Sequence, residues 1–289
     1  MKKFAWHLLA IFTIITWGVS FVSTKVLLNH DFSAVQIFVI RFVFVYVLLL
    51  GIFHKKLWAE SIKDELTLAF GGICGCTLYF WAENTALAHS FASNVSLIVC
   101  SNPLLIMIFA GLLYQNERLN KRQVFGSLIT LVGMVLVVLN GKFILNLSPF
   151  GDLLAFCAAI VWALYSLALR RIKGKYTVLF VNRKIFFYGM LTSLPLLAFE
   201  GQSIPWESFA HPVVWGNFAF LGIIASLFGY IVWTKVLEKL GTVFASNYIY
   251  GIPLVTMLFS ALALDERITW VAILGAAAII LGMVMAEKK

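Results

Sequence analysis

Tyr79 and Glu83 stand four residues apart in an apolar run, a spacing that puts a phenol and a carboxyl group on one helix face, continued by Cys76 and Ala86. A carboxylate in hydrocarbon is costly, so such a group faces a cavity or a partner. Glu83 could there bind an amine or take up a coupling proton. The other reading is a structural ion pair with Arg41 or Arg183, which fall at comparable depth in runs of their own. Either arginine could attract an anionic group, although an arginine can also extend along its stem toward the membrane surface. Lys25 reads as such a snorkelling side chain.

Aromatic and amide side chains extend the list. Trp17, Trp162, Tyr165, Tyr230, Trp233, Tyr248 and Tyr250 lie within apolar runs rather than only at their ends. Each offers a flat apolar face and a hydrogen-bond donor, a combination that suits aromatic, zwitterionic or cationic ligands. Any one ring is more simply a packing residue, but Trp17 and Trp162 occupy corresponding places in the two halves. Asn84, Asn94, Asn102, Asn182 and Asn247 supply neutral polar groups that equally join helices to one another. Residues 91–94 and 244–247 are the same tetrapeptide, Phe-Ala-Ser-Asn, at an offset of 153. The candidate substrate contacts are therefore Trp17, Tyr79, Glu83, Asn84, Asn94, Trp162, Tyr165, Trp233, Asn247 and Tyr248. Proline inside a helix leaves the carbonyl four residues earlier without its donor, so Pro103 frees Val99 and Pro253 frees Ile249. These two prolines are the candidate hinges.

The elements that must carry these residues are long and apolar. With 62% hydrophobic and 12% charged residues, against roughly 45–50% and 25% in soluble domains, the chain is no aqueous globule. Ten apolar runs lie near 5–28, 33–53, 66–88, 91–114, 121–140, 150–170, 177–199, 214–236, 242–264 and 270–286, and each approaches the ~20 residues a bilayer core requires. The predicted fold is an all-α integral membrane protein of ten transmembrane helices. The longest break, around 200–212, is too short for a folded soluble domain, which excludes soluble enzymes and nucleic-acid binders; no nucleic acid is expected as a partner.

Lys+Arg number 22 against 13 Asp+Glu, a net +9, and their placement gives the orientation. Lys2, Lys3, Lys55, Lys56, Lys63, Arg118, Lys121, Arg122, Arg170, Arg171, Lys173, Lys175, Lys235, Lys239, Lys288 and Lys289 fall at alternate ends of the runs. The opposite connections hold clearly only Lys142 and Arg267. Excess Lys/Arg in short loops marks the cytoplasmic side, so both termini are expected in the cytoplasm, of a multi-pass protein of the cell (inner) membrane. The opening Met1-Lys2-Lys3 precedes an apolar run too long for a signal peptide and is read as a retained first helix. Cys74, Cys76, Cys100 and Cys157 suit neither a zinc site nor a redox pair and read as packing residues.

One unit is used twice. Pro103, Glu117-Arg118, Gly126 and Gly133 recur in order as Pro253, Glu266-Arg267, Gly275 and Gly282, at offsets of 150, 149, 149 and 149. Tyr79 matches Tyr230 at 151, and Trp17 opens the first copy as Trp162 opens the second. The copies divide the chain into 1–145 and 146–289. Five spans is an odd number, so the second copy must enter the membrane from the opposite side. Inverted repeats around a central site are a construction of secondary transporters, and discontinuous helices at matching places point to that site.

These residues resemble the EamA-like branch of the drug/metabolite transporter superfamily over nearly the whole chain. The resemblance is carried by Trp17-Gly18, Arg41-Phe42, Ala86-Leu87, Ser96 to Pro103, Glu117-Arg118 and Gly126/Gly133, then by Gly151-Asp152, Trp162-Ala163, Gly229-Tyr230, Pro253, Glu266-Arg267 and Gly275/Gly282. It implies a permease with both termini cytoplasmic. It implies a cavity bounded mainly by spans 1, 3, 4, 6, 8 and 9, with spans 5 and 10 bracing the outside, and transport, often outward, of amino acids, their derivatives, drugs or other metabolites. Glu83 departs from this branch, which more often carries uncharged residues there.

No phosphate-binding glycine loop precedes a lysine, and the five histidines are scattered mostly at loops, so neither a nucleotide-driven pump nor a metal site is read and no cofactor is expected. The expected partners are a small-molecule substrate and membrane lipid, with proton coupling through Glu83. The competing class is an integral-membrane enzyme or flippase acting on a lipid-linked substrate. It calls for catalytic His/Asp/Glu clustered at one membrane surface, and the sequence offers no such set.

Overall fold

The computed structural model describes residues 3–54, 56–113, 121–139, 148–263 and 269–287, and among them the chain is helix and connection without strand. The Glu117-Arg118 and Glu266-Arg267 pairs and Lys142 lie outside the described residues.

Helix α1 (Lys3–Leu28) leads to α2 (Ala34–Ile52), which opens on a reciprocal cap: Ser33 Oγ accepts from the Gln36 amide, and the Gln36 side chain accepts from the Ser33 amide. Helix α3 (Ile62–His89) starts at the Ser61 cap and is interrupted by a wide π turn over Ile73–Leu78. Helices α4 (Ala92–Val99) and α5 (Asn102–Leu113) are the halves of one broken span, followed by α6 (Lys121–Leu139).

The second half repeats this order. Helix α7 (Pro149–Arg171) carries Pro149 in its first turn, where a missing N–H costs nothing. Helix α8 (Val178–Glu200) ends at Gly201, whose φ of 67° is the left-handed cap that glycine adopts without strain. Helix α9 (Pro212–Leu240) contains a π stretch over Phe220–Phe228. Helix α10 (Thr242–Ser246) passes through a 3₁₀ turn at Asn247–Gly251 into α11 (Ile252–Ala263), and α12 (Trp270–Glu287) closes the chain.

Among the described residues seven helices are long and apolar enough to cross a membrane: Phe4–Leu28, Ala34–Ile52, Ile62–His89, Val95–Leu113, Pro149–Arg171, Pro212–Leu240 and Thr242–Ala263. The other three apolar runs of the sequence are helical as well, as α6, α8 and α12.

Helices α6 and α12 pack closely along a seam of small residues. A Cβ at Gly133 would lie 2.7 Å from the Gly275 carbonyl oxygen, and one at Gly282 would lie 2.5 Å from that of Gly126. As one helix advances from 126 to 133 the other retreats from 282 to 275, so the two run antiparallel.

The basic end of the bundle is tied by α8. Arg183 donates to the carbonyls of Phe53 (2.9 Å) and Lys56, and Lys184 pairs with Glu65. Asp64 accepts from Lys175 and Tyr176, both at 2.9 Å. Arg183 therefore does not share the depth of Arg41, as the sequence led us to expect; it caps loop carbonyls left open where α2 ends. Of the cysteines, Cys74, Cys76 and Cys100 are buried, whereas Cys157 is on the outer face of α7 and is no packing residue.

Candidate functional site

The two copies meet in a knot of rings. Trp17 and Trp162 stand edge to face at 5.3 Å between centroids, Tyr79 lies 4.8 Å from Trp162, and Tyr230 lies 6.0 Å from Trp17 and 5.9 Å from Trp162. Such offset and T-shaped contacts are the favoured aromatic geometries. Tyr165 and Trp233 form a second row, 5.0 Å behind Trp162 and 5.1 Å from Trp17.

The π turns fix this knot. A π turn takes backbone carbonyls out of the regular helical ladder, and such turns recur at functional sites. In α9 the Ala225 carbonyl accepts from Trp17 Nε1 at 3.0 Å; in α3 the Gly75 carbonyl accepts from the Tyr230 hydroxyl at 2.8 Å. Residues 75 and 225 differ by the 150 of the sequence repeat, so each copy supplies the ring that caps the other's π turn. Gly75 has no room for a side chain, since its Cβ would sit 2.4 Å from the Tyr165 ring.

Against the knot lies a narrow cavity of about 400 Å³. Its wall contains matched pairs: Trp17 with Trp162, Tyr79 with Tyr230, Val99 with Ile249 and Asn102 with Ile252. The last two pairs are offset by 150. The unmatched members are Ser20, Phe21, Arg41, Phe80, Glu83 and Cys100, all from the first copy. Among the described residues none of α6 or α12 lines it.

Glu83 is 4% exposed, and its Oε2 has no hydrogen-bond partner. The Tyr79 hydroxyl and the Arg41 guanidinium are its polar neighbours. Arg41 Nε donates to Ser226 Oγ and the guanidinium lies 4.4 Å over the Phe80 ring. Two further buried polar atoms on this wall are unpartnered, Asn102 Oδ1 and Trp162 Nε1. The Asn102 amide nitrogen donates to the Val99 carbonyl at 2.9 Å, the oxygen that Pro103 leaves without its helical donor.

The sequence candidates thus divide. Trp17, Tyr79, Glu83 and Trp162 line the cavity, and Tyr165 and Trp233 back it. Asn84 is buried but donates to the Ala34 carbonyl at 3.1 Å, on the α2 side. Tyr248 meets His7 through its hydroxyl, and Asn247 opens the 3₁₀ turn; neither lines the cavity. Asn94 belongs to α4, and its side chain lies outside the described residues. Pro103 and Pro253 stand in the first turns of α5 and α11, just past the breaks. Asn102 and Arg41 join the wall although neither was among the chosen contacts. The signal for Asn102 was its place one residue before a duplicated proline, and for Arg41 its charge inside an apolar run.

Comparison with protein families matches the EamA-like transporter family twice, over residues 4–139 and 149–287. The chain is 26% identical to an uncharacterized transporter of Archaeoglobus fulgidus, over 98% of this chain and 97% of that protein. It is 24% identical to a probable amino-acid metabolite efflux pump of Escherichia coli (strain K12), over 95% and 92%, and 22% identical to a probable terminal-alkyne amino-acid exporter of Streptantibioticus cattleyicolor, over 100% and 95%. A solved crystal structure at 21% identity shares the fold with a TM-score of 0.75, covering 99% of this chain and 98% of its own. The matched family and these relatives are transporters, not enzymes.

Proposed function

The chain belongs to the EamA-like transporter family, within the drug/metabolite transporter superfamily, and we propose that it is a secondary-active exporter of a small organic solute, working by alternating access at the cavity between Trp17 and Trp162. In this reading the multi-pass protein has ten transmembrane helices in two inverted five-helix units, 1–145 and 146–289. It sits in the inner membrane with both termini cytoplasmic. The antiparallel meeting of α6 and α12, the last helix of each unit, supports the inversion. The distribution of Lys and Arg supports the orientation.

The observation that carries the functional reading is the convergence of Glu83 Oε2, Asn102 Oδ1 and Trp162 Nε1, buried and unpartnered, on one wall. An unmet buried polar atom costs about 1–3 kcal/mol, which a ligand with complementary groups offsets. Glu83 and Asn102 accept from an ammonium, Trp162 and Arg41 donate to an oxygen, and the rings hold an apolar body. Two relatives carry names of amino-acid exporters, which agrees with a small zwitterion or its derivative. Tyr79 and Trp17 complete the first layer, Tyr165 and Trp233 the second. Pro103 and Pro253 act as the hinges on which α5 and α11 swing. The narrow cavity must widen to take up its cargo, and Glu83 is the group that exchanges a proton as the cavity changes side.

The test is flux in proteoliposomes. Labelled amino acids, amines and organic anions are loaded and a pH gradient imposed. Export of an amine-bearing solute that follows the gradient, and loses that dependence in Glu83→Gln, is the expected result. Flux by Glu83→Gln with unchanged gradient dependence would remove Glu83 as the coupling group.

A further inference from the structure

An open concavity of the described residues lies away from the central cavity, on the flank where α3, α5 and α7 meet. It is walled by Leu66 and Phe70 of α3, Leu113 of α5, and Leu164, Leu167 and Ala168 of α7. Its polar members are Lys63, in the first turn of α3, with the neighbouring Thr67, and Arg171, the last residue of α7. Both cations therefore stand at the same end of the groove, the end whose loops carry the protein's excess of Lys and Arg.

The carboxylates next to Lys63 in sequence do not neutralise them. Asp64 and Glu65 follow Lys63 directly but turn toward α8 and its preceding loop. There Asp64 is held by Lys175 and Tyr176, and Glu65 by Lys184 and Tyr188. Among the described residues neither Lys63 nor Arg171 has a carboxylate within 4 Å. Thr67 Oγ1 donates to the Lys63 carbonyl at 2.8 Å, which leaves the ammonium untouched. An apolar trough some helical turns long, with two cations at its mouth that no described carboxylate compensates, is complementary to an acyl chain that ends in a phosphate.

We propose that this flank groove is a binding site for an anionic phospholipid, its headgroup phosphate between Lys63 and Arg171 and an acyl chain along Leu66, Phe70, Leu113, Leu164 and Leu167. Basic pockets between membrane helices on the positively charged side of a protein recognise such headgroups. The site is separate from the central cavity, with no lining residue in common, and stands whether or not the export reading holds.

The test uses the full-length protein purified in detergent, with phosphatidylglycerol and phosphatidylcholine of the same acyl chains offered together and retention read by native mass spectrometry. Each basic side chain is expected to contribute about fivefold to the preference for phosphatidylglycerol. The Lys63→Gln/Arg171→Gln variant should bring it near parity. Lys63→Arg should keep it, and the charge-matched control Lys235→Gln/Lys239→Gln, at exposed lysines of α9, should leave it unchanged. Equal retention of the two lipids by the unaltered protein overturns the proposal. So does a preference that survives the double substitution, or one that falls equally in the α9 control. Inorganic phosphate abolishing the preference at millimolar concentration would assign the cations to a free anion instead and would likewise overturn it.

Discussion

The two walls of the central cavity come from copies of one unit, yet they differ in kind. The first copy supplies Ser20, Arg41, Glu83 and Asn102; the second supplies Trp162, Tyr230, Ile249 and Ile252. The step of 151 that carries Tyr79 onto Tyr230 carries Glu83 onto Thr234, and the step of 150 carries Asn102 onto Ile252. Thr234 is no cavity residue: its hydroxyl donates to the Tyr230 carbonyl at 2.8 Å and accepts from Asn182 at 3.1 Å. Duplication has kept the positions that set the shape, the rings and the breaks, and has let charge settle on one side.

The sharpest way to break that contrast is to remove its charge. Glu83→Gln should lower export by about tenfold to a hundredfold, the worth of a charged hydrogen bond, while the melting temperature in detergent stays at or above that of the parent. Export within twofold of the parent would mean that the charged wall does no selective work. Adding Thr234→Glu to that variant should restore nothing, because position 234 is bonded to Asn182 behind the rings; recovery of flux would show the walls to be interchangeable.

Next in size is a change outside the site. Gly133→Ala or Gly282→Ala drives a methyl group into the backbone of the facing helix and should cost about 1–3 kcal/mol of stability, visible as a lower melting temperature with solute affinity retained. The smallest effect separates the duplicated tryptophans. Trp17→Phe removes the donor to the Ala225 carbonyl and should cost about 1 kcal/mol of stability. Trp162→Phe removes an indole N–H that has no partner in the protein, and should leave the melting temperature within a degree or two while weakening solute binding. Equal stability losses would show that the crosswise caps do not distinguish the twins.

Much of this arrangement is legible in the residues. Trp17, Trp162, Tyr79 and Tyr230 declare themselves by recurring at matched places, and Glu83 by being an acid in an apolar run. Pro103 and Pro253 mark breaks because the missing N–H is a property of the residue itself. The π turns are another matter: residues 73–78 and 220–228 carry no proline or cap, and in each turn it is a ring from the opposite copy that donates to a released carbonyl. Asn84 and Asn102 look alike in sequence, yet one amide faces α2 and the other the cavity, a difference decided by about one position of helix phase. Arg183 and Arg41 are likewise both cations in apolar runs, and only the loop carbonyls above α8 tell them apart.

The narrowness of the central cavity has an electrical consequence. A cavity this narrow holds roughly one or two water molecules. One or two waters cannot make the hydrogen-bonded file that would cross a hydrocarbon layer of ~30 Å, so no continuous file of water runs through this cavity. In electrical terms the cavity is, in this conformation, an insulating gap and not a pore.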